Sequence, residues 1–160
     1  MTDADSLPAR SRIVQEHLEA AGVRTRVVVL PESARTAAEA AAAVGCEVGA
    51  IANSLVLTAD GEPVLVMTSG AHRVDFGVLA ESIGASNVAM APASLVREAT
   101  GQAIGGVAPV GHPAPLRSYL DEDLQGFEEI WAAGGTPHTV MPLTFAQLRT
   151  LTDGPSIRVA

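Results

Sequence analysis

The sequence has no lysine. All ten of its basic residues are arginine, which excludes a lysine nucleophile, a Schiff base and a Walker-type phosphate lysine. A single cysteine, Cys46, rules out an intramolecular disulfide and a Cys-rich zinc site, and fits a reducing, cytoplasmic setting in which the thiol is structural. Aromatic residues make up only 3% of the chain, too few for a base-stacking platform. No basic start leads into an apolar signal segment, and no apolar run reaches the roughly 18 residues of a membrane span, so no membrane partner is expected. Excess positive charge is missing too. The formal charge of −8 argues against DNA and against broad nucleic-acid binding, which needs a basic surface to displace counterions; any such contact must be local.

Several motifs are also absent. There is no G-x-S-x-G elbow, no HxH or HExxH spacing and no GxGxxG opening, so sequence offers no motif for a serine triad, a zinc site or a dinucleotide. We therefore expect no metal and no cofactor. A site assembled through space from His72, His112 and His138 has no motif spacing behind it.

What is present fits one domain spanning residues 1–160, with 48% hydrophobic residues to fill its core. Ser6 and Pro8 open an amphipathic helix with Ile13, Val14, His17, Leu18 and Ala21 at helical spacing, stopped by Gly22. Residues 24–30 read as a strand ended by Pro31. Thr36-Ala-Ala-Glu39 is a capping box for an alanine-rich helix that closes at Gly45, and so many alanines predict close packing against a sheet. Residues 51–58 and 63–69 form a hairpin around Asp60-Gly61. Asp75 caps a helix through Ile83, a short strand covers 87–90, and a helix over 92–100 ends at Gly101. Beyond residue 112 the pattern predicts strands over 116–120, 127–132, 136–142 and 157–159, a capped turn over 121–124 and a helix over 144–151. Strands that appear singly and in hairpins between unequal helices, without a βαβ rhythm, make this an α+β fold with a mixed sheet.

The segment Ile104-Gly-Gly-Val-Ala-Pro-Val-Gly-His112 holds three glycines and a proline in nine residues. It is neither helix nor strand. Glycine permits positive φ and close backbone approach, while Pro109 restrains both itself and Ala108. Taken alone, the loop is either a tight connection or a rigid cradle of exposed amides. The carboxylate runs Asp121-Glu-Asp123 and Glu128-Glu129 read as caps or solvated faces, though Asp121, soon after the loop, can line the same cleft.

Several segments in order resemble the YbaK/prolyl-tRNA synthetase-associated editing domains. They are Thr36 to Gly45, Ile51-Ala-Asn-Ser-Leu-Val-Leu57, Pro63-Val-Leu-Val66, Gly70-Ala-His-Arg-Val-Asp75, Thr100 to His112, and Gly134-Gly135. The likeness runs from about Arg35 to the end. It implies a single α+β domain with a mixed, partly barrel-like sheet, and a cleft for the aminoacyl-adenosine end of a mischarged tRNA. The implied activity is trans-editing: hydrolysis of the ester of a small amino acid, with a neighbouring ribose hydroxyl helping to position or activate water. On that likeness, Gly105 and Gly106 act in catalysis with Asn53. The loop residues Val107, Ala108, Pro109 and Gly111 bind carbonyl and ribose, and Ser54, His112, Asp121 and His138 serve as further binding or wall residues. A synthetase is a second expected partner. The family pattern usually has lysine where this chain has Asn53, so three readings stay open. Asn53 performs a neutral version of the task, an arginine such as Arg73 supplies the charge, or the domain binds without hydrolysing.

Overall fold

Asp60 (φ 50) and Gly61 (φ 87) both take the left-handed conformation, the requirement of a type I′ turn. They join β2 (Ile51–Ala59) to β3 (Glu62–Ser69), and the pairing runs without a slip from Ala59 opposite Glu62 to Ala52 opposite Ser69. This hairpin is the centre of the computed structural model, which describes residues 7–34 and 36–160. Around it lie β1 (Val28–Val29), β4 (Val88–Met90), β5 (Ser118–Asp121), β6 (Ile130–Ala133), β7 (Thr139–Leu143) and β8 (Ser156–Ile157). The strand order is β1-β7-β6-β2-β3-β5-β8, with β4 also on β2. The β2–β6, β3–β5 and β5–β8 pairs are parallel and the others antiparallel. The sheet is mixed, as expected, and among the described residues it does not close, since β1 and β8, the two ends of the path, do not pair with each other.

Alternation along β3 serves two cores. Leu65 and Met67 join a large cluster with Val14 and Leu18 of α1 (Ala9–Ala20), whereas Val64 and Val66 join Leu79 of α3 (Phe76–Ile83), Tyr119 and Ile157. A third, smaller cluster packs Ala40 and Ala41 of α2 (Ala37–Val44) on Ile51, with Trp131 alongside. The alanines let α2 lie close to the sheet. At Gly70, a Cβ would stand 2.8 Å from the Ala37 Cβ and 2.4 Å from the Val48 carbonyl oxygen.

The helix ends follow their sequence signals. Thr36 Oγ1 accepts from the Glu39 amide at 3.1 Å, Asp75 Oδ1 accepts from Gly77 and Val78, and Thr144 and Gln147 form a reciprocal capping box for α5 (Phe145–Thr152). The expected start at Ser6 lies outside the described residues. Pro8 stands at the N-cap of α1.

Strand lengths are where the structure departs from expectation. The strand expected over 24–30 shrinks to Val28–Val29, because Gln15 of α1 takes the Val27 amide at 3.0 Å and Thr25 hydrogen-bonds to the Pro142 carbonyl with its side chain. The strand expected from Phe127 begins at Ile130, after a 3-10 turn over Glu122–Gly126 whose end the Phe127 amide closes on Leu124. The strand expected over 116–120 is shifted to Ser118–Asp121. The last one is Ser156–Ile157. Cys46 is half-buried and free, and burial, followed by the charges of Glu129 and Glu47, pushes its thiol up, away from the reactive thiolate.

Candidate active site

Helix α4 (Ala93–Thr100) ends at Gly101, φ 72, and hands the chain to the glycine loop. The glycines there have different reasons to be glycine. Gly105 has φ 92 and open space where a Cβ would be, so its backbone conformation excludes a side chain. Gly106 is excluded by contact: a Cβ would lie 2.5 Å from the Thr136 carbonyl carbon and 2.8 Å from the Pro137 nitrogen. The loop thus interlocks with the turn between β6 and β7.

The residues on either side of Gly106 border a cavity of about 50 Å³. Gly105 and Val107 line it from the loop, Asn53 and Ser54 from β2, Trp131 from β6 and Thr139 from β7. Alanines of α2, β2 and β6 supply most of the remainder. Among the described residues no lining side chain is ionisable. Neither the Gly105 nor the Val107 amide has a protein acceptor among the described residues, although Val107 is only 3% exposed. Gly105 is exposed to solvent, whereas Val107 is buried, where an N–H without a partner costs free energy. Asn53 pairs with Thr68 in the β2–β3 ladder, and its backbone carbonyl also accepts from Thr68 Oγ1 at 3.4 Å. Its exposed carboxamide has no protein partner among the described residues and can both donate and accept. Ser54 Oγ lies 3.2 Å from Met67 Sδ.

The other expected site residues lie elsewhere. Ala108 is fully buried. Its carbonyl accepts from His112 Nε2 at 2.8 Å, which assigns the ring proton to Nε2. Burial holds His112 below the ordinary histidine range, opposed by the Ala108 bond and reinforced by nearby His17. Pro109 and His112 border a separate open groove with His17 and Leu116, and Gly111 lies against α1 near Val14. His138 is exposed on the β6–β7 turn, its amide on Thr136 Oγ1 and its carbonyl accepting from Leu30. Arg73 is exposed and does not line the cavity.

Asp121 does not line it either. Its buried carboxylate accepts from the Ser69 amide at 2.9 Å and the Asp123 amide at 3.0 Å, and contacts His72 Nδ1 at 2.7 Å. His72 Nε2 is 2.7 Å from Asp123. This is the only grouping of three metal-capable side chains among the described residues. The imidazole already occupies the space between the two carboxylates. His112 and His138 stand apart from it, so the three loop histidines do not meet.

Two sets of residues escaped the sequence reading. Trp131 and the alanine wall come from elements that read as packing. Gln102, a buried carboxamide, accepts from the Ala108 amide at 2.6 Å and donates to the Val110 carbonyl at 3.2 Å. No spacing rule announces a glutamine of that kind, though its place beside Gly101 and before the glycine run was visible.

Residues 31–151 match the family described as the aminoacyl-tRNA editing domain. The chain belongs to that family. In solved structures, a protein described as a candidate trans-editing enzyme for prolyl-tRNA synthetase superposes with a TM-score of 0.91 at 46% identity, covering 96% of this chain and 98% of that one. The uncharacterised protein YwhH of Bacillus subtilis (strain 168) is 31% identical over 117 residues, which is 72% of this chain and 74% of YwhH. A proline–tRNA ligase of Geobacter sp. (strain M21) is 30% identical over 111 residues, 69% of this chain. The match spans only 19% of that ligase, and so corresponds to a part of it. The editing-domain fold and its association with proline–tRNA ligases are therefore established for this chain's family. The two loops that interlock at Gly106 both lie within the matched region.

Proposed function

We propose that this protein, as one domain over residues 1–160, is a free-standing aminoacyl-tRNA deacylase that hydrolyses the ester of a mischarged tRNA carrying a small amino acid. One observation supports this above the rest: two unpaired backbone amides and a free carboxamide share a cavity of about 50 Å³ among alanines. The amides of Gly105 and Val107 donate to the ester carbonyl oxygen and hold the charge that develops on it as water adds. Fixed donors of this kind are worth about 3 kcal/mol each in acyl transfer. Asn53 orients the water or the terminal nucleotide, accepting through Oδ1 and donating through Nδ2. With no ionisable side chain among the described lining residues, the neighbouring ribose hydroxyl of the substrate is the group that takes part in activating water. The small volume admits a short neutral acyl side chain and turns away a bulky one.

The partner is the acceptor end of the tRNA, held by local contacts in keeping with a net charge of −8, and a synthetase is a second partner. No helix among the described residues is long and apolar enough to cross a membrane, and the substrate belongs to the cytoplasm. The protein would act there as a hydrolase in translation fidelity.

A second reading is a module that binds aminoacyl-tRNA or a synthetase without hydrolysing. Asn53, standing where the family pattern usually has lysine, favours it. Incubation with alanyl-, cysteinyl-, seryl- and prolyl-tRNA separates the two. Ester hydrolysis above background with at least one supports the deacylase; tight binding with no hydrolysis of any supports the module. Activity on truncated aminoacyl esters equal to that on full tRNA would argue instead for a general small-ester hydrolase.

A further inference from the structure

We infer that Gln102 is a positioning residue of the glycine loop, holding the Val107 backbone at the cavity wall; the inference rests on the deacylase reading above. Gln102 is 2% exposed, the only buried carboxamide side chain among the described residues. Such a group is costly to bury unless its donor and its acceptor are both used, and the loop uses both. Oε1 takes the Ala108 N–H at 2.6 Å, and Nε2 gives to the Val110 carbonyl at 3.2 Å.

The glutamine is itself held. Thr100 Oγ1, fully buried, accepts from the Gln102 amide at 3.0 Å and lies 2.6 Å from the Val96 carbonyl of α4. Position is thus passed from a helix end, through one side chain, to the loop. The Ala108 N–H belongs to the same rigid peptide plane as the Val107 carbonyl. Fixing that N–H therefore fixes the orientation of Val107 on its C-terminal side. Gly106, wedged on Thr136 and Pro137, fixes the N-terminal side. His112, from the far side, ties the Ala108 carbonyl at 2.8 Å. Gly111 completes the fit: a Cβ there would come within 3.2 Å of Gln102 Nε2. Between these anchors the Val107 amide is left buried without an acceptor, an arrangement that relaxes unless the flanking planes are held.

A residue of this kind affects the transition state more than the bound ground state, because charge on the carbonyl oxygen develops only during reaction. The test compares wild type, Q102A and Q102E from about pH 5 to 8 on whichever aminoacyl-tRNA the wild type hydrolyses. It measures kcat, KM, and binding of a non-hydrolysable aminoacyl-adenosine analogue through the fluorescence of Trp131, the sole tryptophan. Q102A is expected to lose at least about tenfold in kcat while analogue affinity stays within about twofold. A protonated glutamic acid can accept from Ala108 and donate to Val110, but a carboxylate cannot donate. Q102E should therefore approach wild-type activity at the acidic end and fall away from it as pH rises. Should Q102A not fold, the pH dependence of the Q102E to wild-type ratio decides alone. Unchanged kcat in Q102A, or a flat Q102E ratio, overturns the assignment of Gln102 and leaves the deacylase reading standing. A silent wild type overturns both.

Discussion

The Cβ that Gly106 lacks would stand 2.5 Å from the carbonyl carbon of Thr136. Both partners in that contact are main chain, so neither can swing aside as a side chain would. Gly106→Ala is expected to push the glycine loop from the β6–β7 turn and destabilise the protein by about 1 to 3 kcal/mol, the usual range for overpacking. Gly105→Ala meets open space but must hold φ 92, at a cost of about 1 to 2 kcal/mol. Urea unfolding of the two variants checks the stabilities. Deacylation should fall more in Gly106→Ala, where the cavity wall itself moves; equal stability and activity in that variant and the wild type would contradict the interlock.

His112 makes stability depend on pH. Its folded-state pKa lies below its ordinary value of 6.5, mainly through burial. Above about pH 6.5 the ring is neutral in both folded and unfolded chains, and it adds no slope. As pH falls below that, the unfolded chain takes up a proton that the folded chain resists, so stability declines until the folded pKa is passed. Unfolding free energies at about pH 5.5, 6.5 and 7.5 should show this decline. His112→Gln, which keeps a donor for the Ala108 carbonyl, should flatten it; a slope of undiminished size in that variant would assign the effect to other groups.

Local signals were legible in the sequence, and long-range pairings were not. Asp60-Gly61 announced the hairpin because an I′ turn needs two residues with positive φ and little else. Thr36 and Asp75 announced their helices for a similar reason: a cap is a contact across two or three residues. Asp121 shows the limit. It caps a turn, as the sequence suggested, but its other oxygen serves the Ser69 amide, 52 positions away, and no local pattern encodes that. The shortened first strand has the same origin, since Gln15 of a neighbouring helix claims the Val27 amide. At the site, the glycines of the loop stood out because positive φ leaves a mark in composition. The alanine wall did not, because a small residue that packs a helix on a sheet looks the same as one that leaves room for a guest.

Asn53 is the residue on which the two functional readings divide. Its side chain is exposed and makes no hydrogen bond among the described residues, so Asn53→Ala should leave Tm within a degree or two, in the range of neutral surface changes. Under the deacylase reading the same variant loses about tenfold or more in kcat, the low end for removing a positioned polar group. Asn53→Lys adds a charge to a wall that has none among the described residues. An enzyme adapted to asparagine loses activity on that change. A gain of hydrolysis would instead mark a binding module whose catalysis had lapsed.

Cavity size should set which acyl group is accepted. Ala133 lines the cavity from the end of β6 and is only half-buried, so enlarging it does not require the core to repack. It pairs with Val140 in an antiparallel ladder, where a β-branched residue is well tolerated, and Ala133→Val should therefore fold normally. The added carbons take up space in a volume of only about 50 Å³. One methylene in a closely fitted apolar pocket changes kcat/KM by about 10- to 200-fold, and the larger acyl group has less room to adjust. Alanyl-tRNA should thus lose less than cysteinyl- or prolyl-tRNA, and the ratio of their kcat/KM values should widen in favour of alanine. Measuring the three substrates with both proteins gives that ratio directly. A uniform loss across all three would mean that Ala133 affects the carbonyl site and not the acyl pocket, and it would place the side chain of the amino acid against a different wall.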